Sequence, residues 1–189
     1  SDALEVNSLF NNVMAHFRHL DVLVNNAAIA LSCPIDHNDV EWLNQWLKTM
    51  DVNLNAVGLL CKKAVNHFLE KGDGRIINIA SRAAHQGDLP DYMAYAASKA
   101  GVVAITKSIA RAYGKQGIRA FTIAPGFVDT DMTTGFVKKF GEELVNSDIR
   151  LERLTVAEDI SPLAVLLASG LADHTSGSTF DVNAASYLR

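Results

Sequence analysis

Three side chains near the middle of the chain have the types and spacing for proton chemistry: Ser81, Tyr95 and Lys99. Tyr95 and Lys99 stand four positions apart. On a helix that spacing puts them on one face, about one turn apart. The neighbouring residues favour a helix, because Ala94, Ala96, Ala97 and Ala100 are strong formers and no proline interrupts them. A free phenol titrates near ~10. A close ammonium favours the phenolate, so the spacing predicts a lowered pKa for Tyr95. Such a phenol can serve as acid or base near neutral pH. The same pair also occurs on many helices as a plain surface contact, so the surrounding elements decide between the two readings.

Those elements alternate. Leu4, Phe10, Val13, Met14 and Phe17 recur at helical spacing within 1–17. Residues 21–25 are short and apolar and predict a buried strand. Asn38 and Glu41 form a capping-box pair. They launch a long helix that carries Trp42, Leu43, Trp46, Leu47, Met50, Val52 and Leu54 to about Leu69, with Gly72 stopping it. A second buried strand covers 75–80, and a loop over 81–90 leads into the Tyr95 helix. That helix runs to about Tyr113, with Gly114 as its cap. A third strand, 118–124, ends at Pro125 and Gly126. Residues 129–146 mix charges, glycines and apolar groups and predict a mobile loop with short helical pieces. In it, Lys138, Lys139, Glu142 and Glu143 are expected to form a solvated helix face. Thr155 and Glu158 cap a helix over 160–167, and 178–182 is a last short strand.

Strands alternating with helices of this length imply an α/β fold, with right-handed crossovers and a parallel sheet covered on both faces. Ligands gather at the carboxyl ends of such strands. Asn25, Asn26, Ala27 and Ala28 follow the first strand, Ser81 the second, and Pro125 and Gly126 the third, so the chemistry is expected along one rim. No repeat, low-complexity tract or linker divides the chain, and 1–189 is expected to form one domain.

Bulk composition narrows the function classes. The 189 residues are 49% hydrophobic and 20% charged, an ordinary globular balance. Seventeen basic against 21 acidic residues, with no basic run, argue against a nucleic-acid partner. Cys33 and Cys61 are isolated from each other and from metal-ligand spacing, which argues against a zinc site and for a reducing, cytoplasmic setting. No apolar run is long enough to span a membrane, and the first residues do not resemble a signal peptide.

Six ordered motifs then carry a resemblance. They are Leu23, Val24, Asn25, Asn26 and Ala27; Asp51, Val52 and Asn53; the stretch from Ile76 to Ser81; Tyr95 to Gly101 with its Y-x-x-x-K core; Pro125, Gly126, Val128 and Thr130; and Asp181, Val182 and Asn183. In that order and spacing, over essentially the whole chain, they resemble the short-chain dehydrogenase/reductase family, especially its 3-oxoacyl-acyl-carrier-protein-reductase-like members. The resemblance implies a Rossmann-like, doubly wound parallel sheet. It also implies an NAD- or NADP-dependent oxidoreductase that moves a hydride between nicotinamide and a small-molecule carbonyl or secondary alcohol. Tyr95 would be the general acid or base, and Ser81 would bind the same oxygen. Lys99 would lower the Tyr95 pKa and hold the nicotinamide ribose, and Asn53 would place a water behind Lys99. The cofactor would lie against Asn26, Ala27, Tyr95, Lys99, Pro125, Gly126, Val128 and Thr130. The chemistry suits the residues, because hydride addition builds negative charge on oxygen and two hydroxyl donors stabilise it. Family members commonly form dimers or tetramers through helices matching the 42–69 and 95–113 segments, so a homodimer or homotetramer is expected.

Alternatives stay open at individual residues. Asn53 could bond backbone at a kink, Ser81 could be a turn former or cap, and Thr130 could cap the helix after it. Phe136 and Phe140 hint at an apolar substrate, or pack the loop itself. The family's opening strand, Gly-rich turn and helix have no match here, so the chain is expected to start just past the family's third strand, with about sixty family residues absent. The residue that separates NAD from NADP is expected to be absent with them. On that expectation the edge of strand 21–25 is bare and dinucleotide binding is weakened. Ala28 and Ala184 stand where the family usually has glycine. A non-catalytic scaffold is the competing reading. A serine hydrolase using Ser81 and His85 is disfavoured, because no G-x-S-x-G surrounds Ser81.

Overall fold

The computed structural model describes residues 3–188. Ser1, Asp2 and Arg189, which the single-domain and first-helix expectations include, lie outside the described residues. Four strands, β1 (Val22–Asn25), β2 (Gly74–Ile79), β3 (Ile118–Pro125) and β4 (Thr179–Val182), form one parallel sheet in the order β1-β2-β3-β4. The register pairs Leu23 with Ile76, Ile76 with Ala120, and Ile123 with Phe180. Among the described residues, β1 has no strand on its other edge.

Successive strand residues point to opposite faces, and both faces are covered. Ile76, Ile118 and Ala120 face one core, which α3 (Ala56–Lys71) and α5 (Met93–Tyr113) fill with Val57, Phe68 and Val102. Ile77, Phe121 and Ile123 face the other, closed by Leu167 of α8 (Ala157–Ala168). Phe68 is fully buried, and burying such a side chain contributes about 1.5–3 kcal/mol. The first helix, α1, is Ala3–Phe17. Among the described residues no helix is long and apolar enough to cross a membrane.

The long second helix departs from expectation. It runs as α2 (Asp39–Met50), a π-helical segment Asp51–Asn55, and then α3. Asn38 caps α2 by accepting from the Glu41 backbone N–H at 3.0 Å, and Gly72, at φ 81°, ends α3. The π segment holds one extra residue per turn. It is fixed by Asn53, which turns inward to distant partners described below.

Two loops are more ordered than the sequence suggests. Residues 81–90 include a helical turn, α4 (Ala83–Gln86), before the 3-10 turn Pro90–Tyr92. The 129–146 stretch is two helices, α6 (Asp131–Phe140) and α7 (Glu142–Asn146). Phe136 packs against Tyr92, Phe127 and Phe140, with ring centroids 4.7–5.7 Å apart, and this aromatic cluster gives α6 a reason to fold. Lys138, Lys139, Glu142 and Glu143 are exposed, and Lys139 also donates to Asp91 at 2.8 Å and to Ser32 at 2.7 Å. Before α8, the cap belongs to Val156 rather than Thr155. The Asp159 carboxylate accepts from the Val156 N–H at 2.8 Å, while Thr155 is buried in a bridge to Val128. After α5 the chain passes Gly114 and a 3-10 turn, and the left-handed residue is Gly117 at φ 86°.

Candidate active site

The rim is built by strand ends. Past β2, the Ala80 N–H donates to Ile123 and the Arg82 N–H to Pro125, so the β2–β3 pairing carries Ser81 to the edge of the sheet. Ser81 is buried, and its hydroxyl accepts from the Ala83 N–H at 3.1 Å. It thus steadies the first turn of α4, and it also lies near enough to the Tyr95 phenol to lower its pKa. The loop 82–92 then brings the chain back into α5, which puts Tyr95 and Lys99 on one face. Gly101 lets α5 lie close to the π segment, since a Cβ there would stand 2.8 Å from the Leu54 methyls.

Lys99 is 3% exposed, and its Nζ donates to the Ile79 carbonyl at 2.8 Å. The same nitrogen lies 5.7 Å from the centre of the Tyr95 ring. Burial pulls the ammonium down to about 8. Tyr95 moves the opposite way from the sequence expectation: burial pushes it up to about 12, the nearby Ser81 hydroxyl opposes this, and the Asp88 charge adds to it. The physical reason is desolvation, which disfavours whichever form is charged. The ammonium is spent on a carbonyl and does not offset that cost. At neutral pH this phenol is a proton donor.

Asn53 is fully buried and its side chain is fully engaged. Its Oδ1 accepts from the Ile29 N–H at 2.9 Å, and its Nδ2 donates to the Ile29 carbonyl at 2.8 Å and to Ser98 at 3.1 Å. The amide thus clamps the loop after β1 to α5, and no side-chain donor remains to hold a water. Ser98 in turn donates to the Tyr95 carbonyl at 2.7 Å. A second buried network joins Asn25 to Asn78 at 2.7 Å and Asn78 to Thr106 at 2.8 Å. The sequence reading missed Ser98, Asn78 and Thr106 as positioning residues. Their polar character inside otherwise apolar elements was the available signal.

Ser81, Tyr95 and Gly126 line one cavity of about 100 Å³, together with Tyr92, Phe127 and Phe136. A wider groove of about 1400 Å³ lies elsewhere, along 150–159 and 181–188, and holds none of the three proton-handling residues. Gly126 lies tight against its neighbour, because a Cβ would meet Asn183 at 3.0–3.1 Å. Pro125 accepts from Arg82. Asn26 and Ala27 are exposed just past β1, and Val128 and Thr130 lie past β3, where the Thr130 hydroxyl donates to the Val128 carbonyl at 3.2 Å. None of these four lines the cavity. Thr130 holds the N-cap position of α6 without a side-chain cap bond.

The residues fit a nicotinamide nucleotide in one respect that the structure supplies. The Lys99 ammonium has three donors and a single carbonyl acceptor. Two donors stay available in a buried place at the strand ends, which suits a diol such as that of ribose. Among the described residues, no cluster could hold a metal ion.

Comparison with known proteins agrees. Residues 1–184 match the family described as enoyl-(acyl carrier protein) reductase. The chain is 35% identical over 188 residues to 3-oxoacyl-[acyl-carrier-protein] reductase FabG of Staphylococcus aureus, covering 100% of this chain and 74% of that protein. It is 36% identical to 3beta-hydroxysteroid dehydrogenase 1 of Eggerthella lenta, over 94% of this chain and 67% of that one. Among solved structures, a gluconate 5-dehydrogenase from Burkholderia cenocepacia in complex with NADP and tartrate superposes with a TM-score of 0.89 at 27% identity, covering 98% of this chain and 71% of its own. The chain belongs to the short-chain dehydrogenase/reductase family of NAD(P)-dependent oxidoreductases.

Proposed function

We propose that the chain reduces the carbonyl of a small molecule at the wall that Ser81 and Tyr95 share. The observation that carries this reading is the protonated phenol, pushed up to about 12, beside a second hydroxyl in a cavity at the strand ends. The nicotinamide cofactor supplies the hydride when bound. Ser81 and Tyr95 hold the carbonyl oxygen as charge grows on it, and Tyr95 passes its proton to that oxygen. Lys99, still charged below about pH 8, would offer its remaining donors to the ribose of the cofactor. Asn53 acts through Ser98 and Ile29 by fixing α5. The cofactor is proposed to lie against Asn26, Ala27, Pro125, Gly126, Val128 and Thr130, which stand at or just past the ends of β1 and β3.

The test is reduction of a ketone panel with NADH and NADPH by the full chain. Tyr95→Phe should abolish turnover, and Ser81→Ala should lower it by about 10²-fold, with both variants melting like the parent. Unchanged turnover in Tyr95→Phe overturns the assignment. The four strands and their helices serve as one nucleotide-binding unit. The chain works as a homodimer or homotetramer: Val40, Leu43, Leu47 and Leu69 leave apolar surface exposed on α2 and α3, which light scattering can test. The two free, buried thiols suit a cytoplasmic location.

A further inference from the structure

The residue after Ser81 is an arginine, and its surroundings bear on which carbonyl compounds enter. Arg82 lines the 100 Å³ chamber beside Tyr95 and also an outer chamber of about 330 Å³. The two chambers share Gln86, Gly87, Asp88, Phe127 and Phe136 as walls. The inner one is small against the ~300–1,000 Å³ of sites for drug-sized ligands. It takes a compact carbonyl group, and the rest of a substrate extends into the outer one.

Arg82 is the cation among the residues lining either chamber. Its side chain is 11% exposed, lies over the Phe127 ring at 4.6 Å, and is ion-paired with Asp148 at the foot of α7. Asp148 lines the outer chamber and Asp88 lines both. One guanidinium therefore stands against two carboxylates. An incoming anion competes with Asp148 for Arg82, and it then lies near Asp88. An uncharged ligand meets neither cost, and Tyr92, Phe127, Met132 and Phe136 offer it apolar wall.

Resting on the reductase reading above, we infer that these chambers take uncharged carbonyl compounds, and that Asp148, by masking Arg82, excludes those bearing a carboxylate. Specificity of this kind comes from a built-in repulsive element as much as from an attractive one. Removing the mask should shift the preference toward the carboxylate, because the largely buried guanidinium then faces the chamber with Asp88 alone against it.

The experiment compares two ligands of nearly equal shape, 4-oxopentanamide and 4-oxopentanoate, by ligand-observed NMR titration of the full chain near neutral pH. The parent should bind the amide at least about tenfold more tightly. Asp148→Asn, which keeps the side-chain shape, should shift the ratio toward the carboxylate by about tenfold or more. Arg82→Gln should keep or widen the amide preference and gives the same answer if Asp148→Asn does not fold. Carboxylate binding as tight as amide binding in the parent overturns the inference. So does an unchanged ratio in a folded Asp148→Asn variant, or a carboxylate preference in Arg82→Gln. The binding ratio does not depend on Tyr95. A chain that shows the ratio but consumes neither NADH nor NADPH with the amide refutes the reductase reading and leaves the selectivity standing.

Discussion

Lys99→Met separates what the site needs from what the fold prefers. The Lys99 ammonium is buried, and its pKa falls from 10.5 to about 8. At 1.36 kcal/mol per pH unit, that drop corresponds to about 3 kcal/mol carried by the folded state when the group is charged. The sign follows from proton counts. Between about pH 8 and 10.5 the unfolded chain binds the proton and the folded chain does not, so this contribution to stability rises with pH across that window. Below about 8 both states are charged and the penalty is constant; above 10.5 both are neutral and it is gone. Methionine removes the charge but also leaves the Ile79 carbonyl without its 2.8 Å donor, at about 1–3 kcal/mol. The two effects nearly offset at pH 7, where Lys99→Met should be as stable as the parent or up to about 2 kcal/mol more stable. By pH 10.5 only the lost hydrogen bond remains, and the variant should be about 1–3 kcal/mol less stable. Urea unfolding of both proteins across this range is the assay. Because Lys99 is not among the causes of the Tyr95 shift, titration of Tyr95 largely cancels in the difference. Turnover should fall by about 10²-fold or more throughout. Two stability curves that stay parallel from pH 7 to 10.5 would refute the claim that a buried, charged Lys99 is held at the fold's expense.

Reaction direction should follow the same two groups. Carbonyl reduction should hold level to about pH 8 and weaken as Lys99 loses its proton, while alcohol oxidation should climb with pH toward the phenol at about 12; initial rates in both directions check this. An oxidation optimum at or below neutrality would contradict it. Lys139→Met should raise the ketone KM several-fold with little change in kcat, because Lys139 ties α6 to Asp91 and Ser32 beside the Tyr92 wall. Asp91→Asn should do the same, and the double variant should add little; the pair is part-exposed, so stability should drop by less than about 1 kcal/mol. Ala184 sits at φ 51°. Ala184→Gly should relieve about 1 kcal/mol of left-handed strain, raising the melting temperature by about 2–4 °C.

The parts of this fold legible in the sequence are those set by nearby residues. Strands β2 and β3 announce themselves because both sheet faces are covered, leaving the unbroken apolar run of Ile76 and Ile77 and that of Ile123 and Ala124. Asn38 caps α2 through a bond only three residues long. A kink with Asn53 bonding backbone was open from the sequence, but its partners Ile29 and Ser98, 24 and 45 positions away, were not legible. Helix α6 was obscured by Gly135 and its polar mix. What folds it is packing of Phe136 on Tyr92 and Phe127, which no local pattern encodes. The spacing of Tyr95 and Lys99 was read from the sequence; the balance of their charges was not. Proximity argued for a phenolate, yet burial acts on both groups, and desolvation outweighs an attraction that Lys99 directs at Ile79 instead.

Proton chemistry between hydroxyls tolerates little misplacement, and the buried amides supply the required rigidity. Asn53 fastens both backbone groups of Ile29 and, through Ser98, the α5 turn that lies between Tyr95 and Lys99. Asn78 bridges β1 and α5 through Asn25 and Thr106, inside the apolar layer under the sheet. Each amide is saturated, so neither can turn without leaving a buried donor or acceptor unpaired, at about 1–3 kcal/mol per group. An apolar core would hold these helices against the sheet as strongly but would not fix their rotation, since hydrophobic contact is non-directional. The directional bonds choose one rotation of α5, the one that aims a phenol at Ser81 and an ammonium at the end of β2. Chemistry at this rim therefore depends on residues that never touch the reacting oxygen.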